Sequence, residues 1–359
     1  MTIEVRVLKA FQGDCIWLRY GEKSFTNIII DSGPSTFKSK FKQLINDIEI
    51  KGECIDLLIF THIDNDHIEG ASKVLVDDDI NHKCIKKIWI NTPKEICKQF
   101  NLKNYDYTSY RINVNKSNQE YSPRVANDLI SIIAKKNISV KELIMVDGST
   151  INLGGAEIVI LSPTEKELIE LVKRWGKYGV NTTFSSESYN EVAIDTINDS
   201  KNSKIEKDKS PYNGSSIAFT FKYNNNLLLL LGDAYPDTVA KTIEQLYGGE
   251  KLNIDLIKLS HHGSSSNINE KFLNFVCCSN YIISTNGANS NPDKRTIARI
   301  IKSNKCKQVN LYSNYNWWKN KNYFTEEDKV KYIDSKIINR IELSSKLLEV
   351  REGLLIGNE

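Results

Sequence analysis

The chain has 359 residues, 40% hydrophobic and 26% charged, with a formal net charge of +3 at neutral pH. That balance excludes the strong overall attraction to nucleic acid of a basic protein, while leaving room for a local binding groove. No apolar run approaches the ~18 residues of a membrane span, and the first residues alternate like a strand instead of forming a signal peptide.

A soluble, cytoplasmic protein with no membrane contact is expected. The length suits one large α/β domain with insertions, or two domains. The seven cysteines are odd in number and lack C-x-x-C spacing, as expected of free buried thiols in a reducing compartment.

Taken in order, residues 3–8 and 15–20 alternate as paired strands, joined by Phe11-Gln-Gly-Asp14. A strand over 27–30 ends in the turn Asp31-Ser-Gly-Pro34, and 36–50 has helical spacing. The apolar run 55–60 predicts a buried strand, and from its end leaves Thr61-His-Ile-Asp-Asn-Asp-His-Ile-Glu-Gly70. Four candidate metal ligands, His62, Asp64, Asp66 and His67, stand within six positions of a chain that holds only five histidines. A helix over 67–76 and a strand over 85–90 follow.

Residues 91–140 are more polar, with helical stretches near 94–100 and 123–136, and read as an insertion. Strands are expected over 142–146 and 156–161, then a helix over 165–175. Over 176–212 periodicity is lost, which predicts a second inserted loop. A strand over 215–221 turns at 224–226 into the unalternating run 227–231, which ends in Gly232-Asp233. A helix over 236–247 precedes the strand 254–259, which ends in Ser260-His-His-Gly263. The pattern closes with a helix over 270–276, a strand over 281–284 and a helix over 295–303. One domain is expected over 1–305, with 306–359 as an extension packing on it.

Three strand ends thus carry polar clusters: 62–67, Asp233, and His261-His262. Strand ends of layered α/β folds converge on one edge, where substrates bind. A two-ion site needs six or seven ligands and a bridging carboxylate. His62 and Asp64 suit one ion, Asp66 and His67 a second, Asp233 the bridge, and one of His261 or His262 completes the set.

These motifs resemble the metallo-β-lactamase-fold hydrolases, whose hallmark loop reads His-x-His-x-Asp-His. The closest likeness is to the hydrolase domain of ComEC-type DNA-uptake proteins and their stand-alone relatives, where the loop reads His-x-Asp-x-Asp-His. Gln12-Gly-Asp14-Cys, Ile30-Asp31-Ser-Gly33, Asn213-Gly-Ser-Ser216, Leu231-Gly-Asp233 and Lys258-Leu-Ser-His-His-Gly-Ser264 match in order. The resemblance implies an αββα four-layer sandwich with metals at the sheet edge; a single doubly wound sheet is the alternative fold.

Two departures stand out. No histidine lies between His82 and His261, so the mid-chain ligand of many relatives is missing. The late Gly-His-Pro segment appears here without its histidine, as Asn291-Pro292-Asp293.

The chemistry expected is phosphodiester hydrolysis on two divalent ions, manganese or zinc favoured and magnesium allowed, since Asp64 hardens the ligand set. Asp64 or Asp66 would take the water proton, and whichever of His261 and His262 is not a ligand would protonate the leaving oxygen. Asp31 is expected to hydrogen-bond the metal loop and Asp14 to cap a turn beside it. Asn213 and Ser215 are expected to face substrate, with Ser264 and Ser265 either cradling a phosphate or capping a helix. Trp317-Trp318 is read as packing ahead of base stacking.

The substrate expected is nucleic acid or another phosphoester, and the resemblance to stand-alone relatives also allows a partner protein that presents it in antiphage defence. A small-molecule phosphoester hydrolase and a weakly catalytic scaffold are the alternatives.

Overall fold

The computed structural model describes residues 2–103, 105, 122–175, 192–199, 206–304, 308–319, 323–343, 348–351 and 354–357. Two mixed eight-stranded sheets lie face to face. The first runs Leu354–Gly357, Leu348–Arg351, Thr2–Val7, Ile16–Gly21, Phe25–Ile30, Leu57–Ile59, Ile88–Trp89 and Val140–Lys141. The second runs Ile338–Leu343, Val309–Ser313, Asn280–Ile283, Leu256–Lys258, Asn226–Leu230, Ala218–Tyr223, Ala156–Ser162 and Thr150–Leu153.

Side-chain alternation explains the layering. Ile28 and Ile30 enter the core between the sheets, as do Leu228 and Leu230 from the opposite sheet. Ile29, between the first two, faces the helices Lys38–Ile50, Asn65–Val74 and Ser122–Lys135, while Leu229 and Leu231 face Pro236–Tyr247 and Lys294–Ser303. Strands apolar on both faces are the signature of sheets covered on both sides. The result is a four-layer αββα sandwich, and the single doubly wound sheet is set aside.

Several elements differ from expectation. The run 142–146 forms no ladder beyond Val140–Lys141, because Asn91 takes its place: Asn91 Oδ1 accepts from Ile144 N at 2.7 Å and Asn91 Nδ2 donates to Ile144 O at 3.0 Å. The strand expected from 215 begins at Ala218, since Ser210 and Pro211 start a short helical turn, Pro211–Gly214. The helix after Asn269 stops at Asn274, and Val276–Cys277 pairs with Leu252–Asn253 in a small separate sheet.

Much of the 91–140 stretch belongs to the helical layer, with Ile96, Val125, Leu129 and Ile133 buried in it; part of the stretch lies outside the described residues. Within 176–212 the described part holds a helix, Ile194–Asp199, whose Ile194 and Ile197 are buried.

Residues after 305 do more than cover the domain. Val309–Ser313 and Ile338–Leu343 extend the second sheet, while Leu348–Arg351 and Leu354–Gly357 extend the first beyond Thr2–Val7. The buried ion pair of Lys294 with Asp328, 2.5 Å apart, ties this part to the body, and Asp328 Oδ1 also accepts from Ile194 N. Trp317 is buried, donates Nε1 to Ser313 Oγ and packs edge-on against Tyr323. The six described cysteines are free; Cys306 lies outside the described residues.

What positions the site is parallel pairing. Phe25–Ile30 runs parallel to Leu57–Ile59, and Asn226–Leu230, Leu256–Lys258 and Asn280–Ile283 run parallel to one another. Asp31, residues 61–67, Asp233, His261-His262 and Ser284 therefore all leave the carboxyl ends of their strands, where crevices form in such folds.

Candidate metal centre

The loop leaving Leu57–Ile59 turns into a helix earlier than its spacing suggests. Asp64 is extended (ψ 146°) just before Asn65–Val74, so Asp66 and His67 sit on the first helical turn while His62 stays on the extended segment. The Gln12-Gly13-Asp14 turn presses against this helix start. A Cβ on Gly13 would lie 1.9 Å from Asp66 O, so only glycine allows the approach.

Four imidazoles then converge on one carboxylate oxygen. Asp233 Oδ2 lies 3.6 Å from His67 Nε2, 3.8 Å from His62 Nε2, 3.8 Å from His261 Nε2 and 3.9 Å from His262 Nε2. Asp64 Oδ2 is 3.6 Å from His62 Nε2, and Asp66 Oδ2 is 3.6 Å from His262 Nε2. Ligand atoms round a tetrahedral ion with bonds of about 2.1 Å sit roughly 3.4 Å apart. His62, His67 and Asp233 form one candidate metal-binding group, and Asp66, His67 and His262 another.

The opposite nitrogen of each ring is held by the protein. His67 Nδ1 donates to Asp31 Oδ2 at 2.8 Å, and His262 Nδ1 donates to Ser284 O at 2.9 Å. Thr61 Oγ1 gives its proton to Asp31 Oδ2, so it accepts from His62 Nδ1 at 3.1 Å. Every Nδ1 thus carries a proton, and the buried Nε2 atoms of His62, His67 and His262 are without a hydrogen-bond partner. Lone pairs aimed at a carboxylate repel it unless a cation or a proton lies between. These residues fit divalent metal.

Electrostatics point the same way. Asp14, Asp31, Asp64, Asp66, Asp208 and Asp233 all pair with these histidines, and Lys258, itself buried, pairs with Asp14. Burial opposes charge on His261 and His262, but Asp233 above all, aided by Asp208 and Asp14 respectively, overcomes it. Their pKa values are pushed up to about 9 and about 10. His67 is raised well above its ordinary value for the same reason, with Asp31 and Asp66 contributing. Burial would raise Asp233, yet the surrounding imidazoles hold it well below the usual carboxylate range.

Asp31 sits where the sequence suggests, accepting from His67 and from Thr61 N at 2.8 Å. Asp14 does not merely cap a turn: it joins Lys258 to His262, with Oδ1 3.5 Å from His262 Nδ1. Asn213 lies beside His261 and donates Nδ2 to Asp208 Oδ2 at 2.8 Å. Ser215 is turned inward, donating to Tyr212 O, so it faces protein instead of substrate.

Ser265 is likewise buried and donates to Asp293 Oδ2, and Ser264 Oγ accepts from Ser266 N. The next helix starts only at Glu270, capped by Asn269, so the Gly263–Ser266 run neither caps a helix nor offers a helix start to phosphate.

Sequence reasoning missed Lys258, Asp208 and Asn267. A lysine inside the apolar strand 254–259 was the available signal, since a buried ammonium needs an anion. Asp208 had none, lying in a stretch without periodicity.

Residues 8–105 match the Metallo-beta-lactamase superfamily. That span carries Asp14, Asp31 and the 62–67 loop, and the four-layer sandwich is the metallo-β-lactamase fold. No curated protein matches the chain.

Among solved structures, the metallo-beta-lactamase fold protein YhfI from Bacillus subtilis is 11% identical, over 98% of this chain and 100% of its own, with a TM-score of 0.42. A diphosphatase of the PhnP family is 12% identical over 83% of this chain and 72% of its own, with a TM-score of 0.33. The diiron β-hydroxylase CmlA from Streptomyces venezuelae is 11% identical over 87% and 44%, with a TM-score of 0.37. Among the described residues, no helix is long and apolar enough to cross a membrane.

Proposed function

We propose that this protein is a metal-dependent phosphodiesterase working with two divalent ions, and that nucleic acid is its substrate class. The observation that carries the reading is the convergence of unpartnered Nε2 atoms from His62, His67 and His262 on Asp233. His62 and Asp64 would hold one ion, Asp66, His67 and His262 the other, and Asp233 would bridge them. When bound, such ions lower the pKa of water from ~15.7 toward ~7 and neutralise charge building on phosphate oxygens.

The chain's own residues supply the rest. Asp31 orients His67, while Asp14, held by Lys258, and Ser284 O orient His262. The side chains of Asp64 and Asp66 are 29% and 27% exposed, so this edge opens to solvent and either carboxylate is placed to accept a proton from water. A carboxylate-rich set suits harder ions, manganese or magnesium beside zinc, and these favour phosphate oxygens. The ordered motifs resembling ComEC-type domains support a nucleic-acid substrate. With a net charge of only +3, a partner protein presenting that substrate fits better than tight autonomous binding. Antiphage defence is the setting we attach to this reading, on the resemblance to stand-alone relatives.

The test is a substrate panel of a chromogenic phosphodiester, single- and double-stranded DNA, RNA and a phosphocholine ester, each with manganese, magnesium and zinc. Diester cleavage is expected, abolished by chelator and by the double replacement of Asp66 and His67 with alanine. Metal-loaded protein that cleaves no diester under any of the three ions contradicts the phosphodiesterase reading. Turnover of the small ester alone would favour a small-molecule hydrolase.

A further inference from the structure

His261 and His262 are adjacent, yet their rings part company. Both residues have left-handed backbone (φ 46° and 56°), and Gly263 follows at φ 86°. Non-glycine residues visit this region rarely, and two in succession mark a turn held by its surroundings. The turn sets the ring centroids 5.8 Å apart, inclined at 66°. His262 goes to Asp66 and is buried; His261 keeps a third of its side chain exposed while its Nε2 stays 3.8 Å from Asp233 Oδ2, as far as that of His62.

The far side of His261 is as built as that of the other three histidines. Asn267 Nδ2 donates to Asp208 Oδ2 at 2.9 Å and to Asp233 O at 3.1 Å, which fixes its amide and turns Oδ1 toward His261. His261 Nδ1 donates to that Oδ1 at 3.0 Å, and Asp208 Oδ2 stands 3.4 Å from the same nitrogen. The proton is thereby placed on Nδ1, and the Nε2 lone pair is presented to Asp233. Asp208 Oδ1 has a separate structural duty, accepting from Ser210 N at 2.8 Å. Oδ2 gathers Asn213, Asn267 and His261.

We propose that His261 is a further metal ligand beside Asp233, and that Asp208 is the positioning residue that aims it. His261 then adds a nitrogen donor to a ligand set that lacks the mid-chain histidine. The inference rests on the two-ion reading above.

The test is manganese titration by calorimetry with metal analysis, together with the visible spectrum of the cobalt-loaded protein. Wild type, His261→Ala, His261→Gln, Asp208→Ala and Asp208→Glu are compared, with melting curves to show that each folds. Wild type is expected to take two ions, and the His261 variants to keep one and lose part of the cobalt absorption. Asp208→Ala is expected to weaken one of the two ions by ~10–100-fold, with Asp208→Glu restoring part of the loss. His261 variants that bind two ions with unchanged affinity overturn the His261 assignment while leaving two-ion chemistry standing. An Asp208→Ala protein that melts earlier but binds both ions normally overturns the role given to Asp208. A wild type that takes fewer than two ions overturns the reading on which both depend.

Discussion

Replacing Asp233 with asparagine is expected to empty both metal positions at once. Its Oδ2 is the common neighbour of four Nε2 atoms, at 3.6 to 3.9 Å, and among the described residues no other carboxylate pairs with all four histidines. The amide keeps the shape but removes the charge and one acceptor, so neither ion retains its bridge. Loss of an outer hydrogen-bond partner, such as Asp31→Asn at His67, costs ~10–100-fold in metal affinity or activity. Asp233→Asn should exceed that range and leave the purified protein with little metal. Metal analysis beside kcat/KM checks it. An Asp233→Asn protein that holds metal as wild type does would show that the carboxylate is a bystander.

Stripping the metal should make the fold sensitive to alkali. Without ions, charge on His67, His261 and His262 balances the gathered carboxylates, and it does so against the cost of burial. An imidazole has an unfolded pKa near ~6.5, whereas His261 and His262 are held up to about 9 and about 10 in the fold. A raised folded-state pKa lends stability that is fully present below the unfolded value and is lost as pH climbs through the folded one. The chelated protein should therefore melt progressively lower from pH 7 to pH 10 (roughly the span between the two sets of values).

The loaded protein should be flatter over that range, since the ions replace the protons. For the same reason, loading near neutral pH should release protons, and metal affinity should fall as pH falls. A pH indicator in weakly buffered solution reads the release. Equal melting profiles with and without metal, and no proton release, would contradict this balance.

The fold was legible where both faces of a strand are apolar. The runs 27–30 and 227–231 carry no alternation, and each becomes a central strand of one sheet. The strand ends then brought Asp31, the 62–67 loop, Asp233 and His262 to one edge, as the motif order suggested. Legibility failed where partners come from far along the chain. Asn91 replaces a backbone ladder at Ile144, and Lys258 finds Asp14 across 244 positions.

The serines show a different limit. Ser215 and Ser265 have the composition of a binding loop, but their hydroxyls serve Tyr212 and Asp293 inside the protein. Asp208 is hardest to read, because nothing local distinguishes it from the other polar residues of 201–209. Only the folded chain sets it against His261.

The most direct test of the central claim is anomalous scattering from crystals loaded with manganese. Two peaks are predicted at the edge of the sandwich, one beside His62 and Asp64 and one beside Asp66, His67 and His262, with Asp233 between them. A single peak, or none within reach of Asp233, would contradict the two-ion centre.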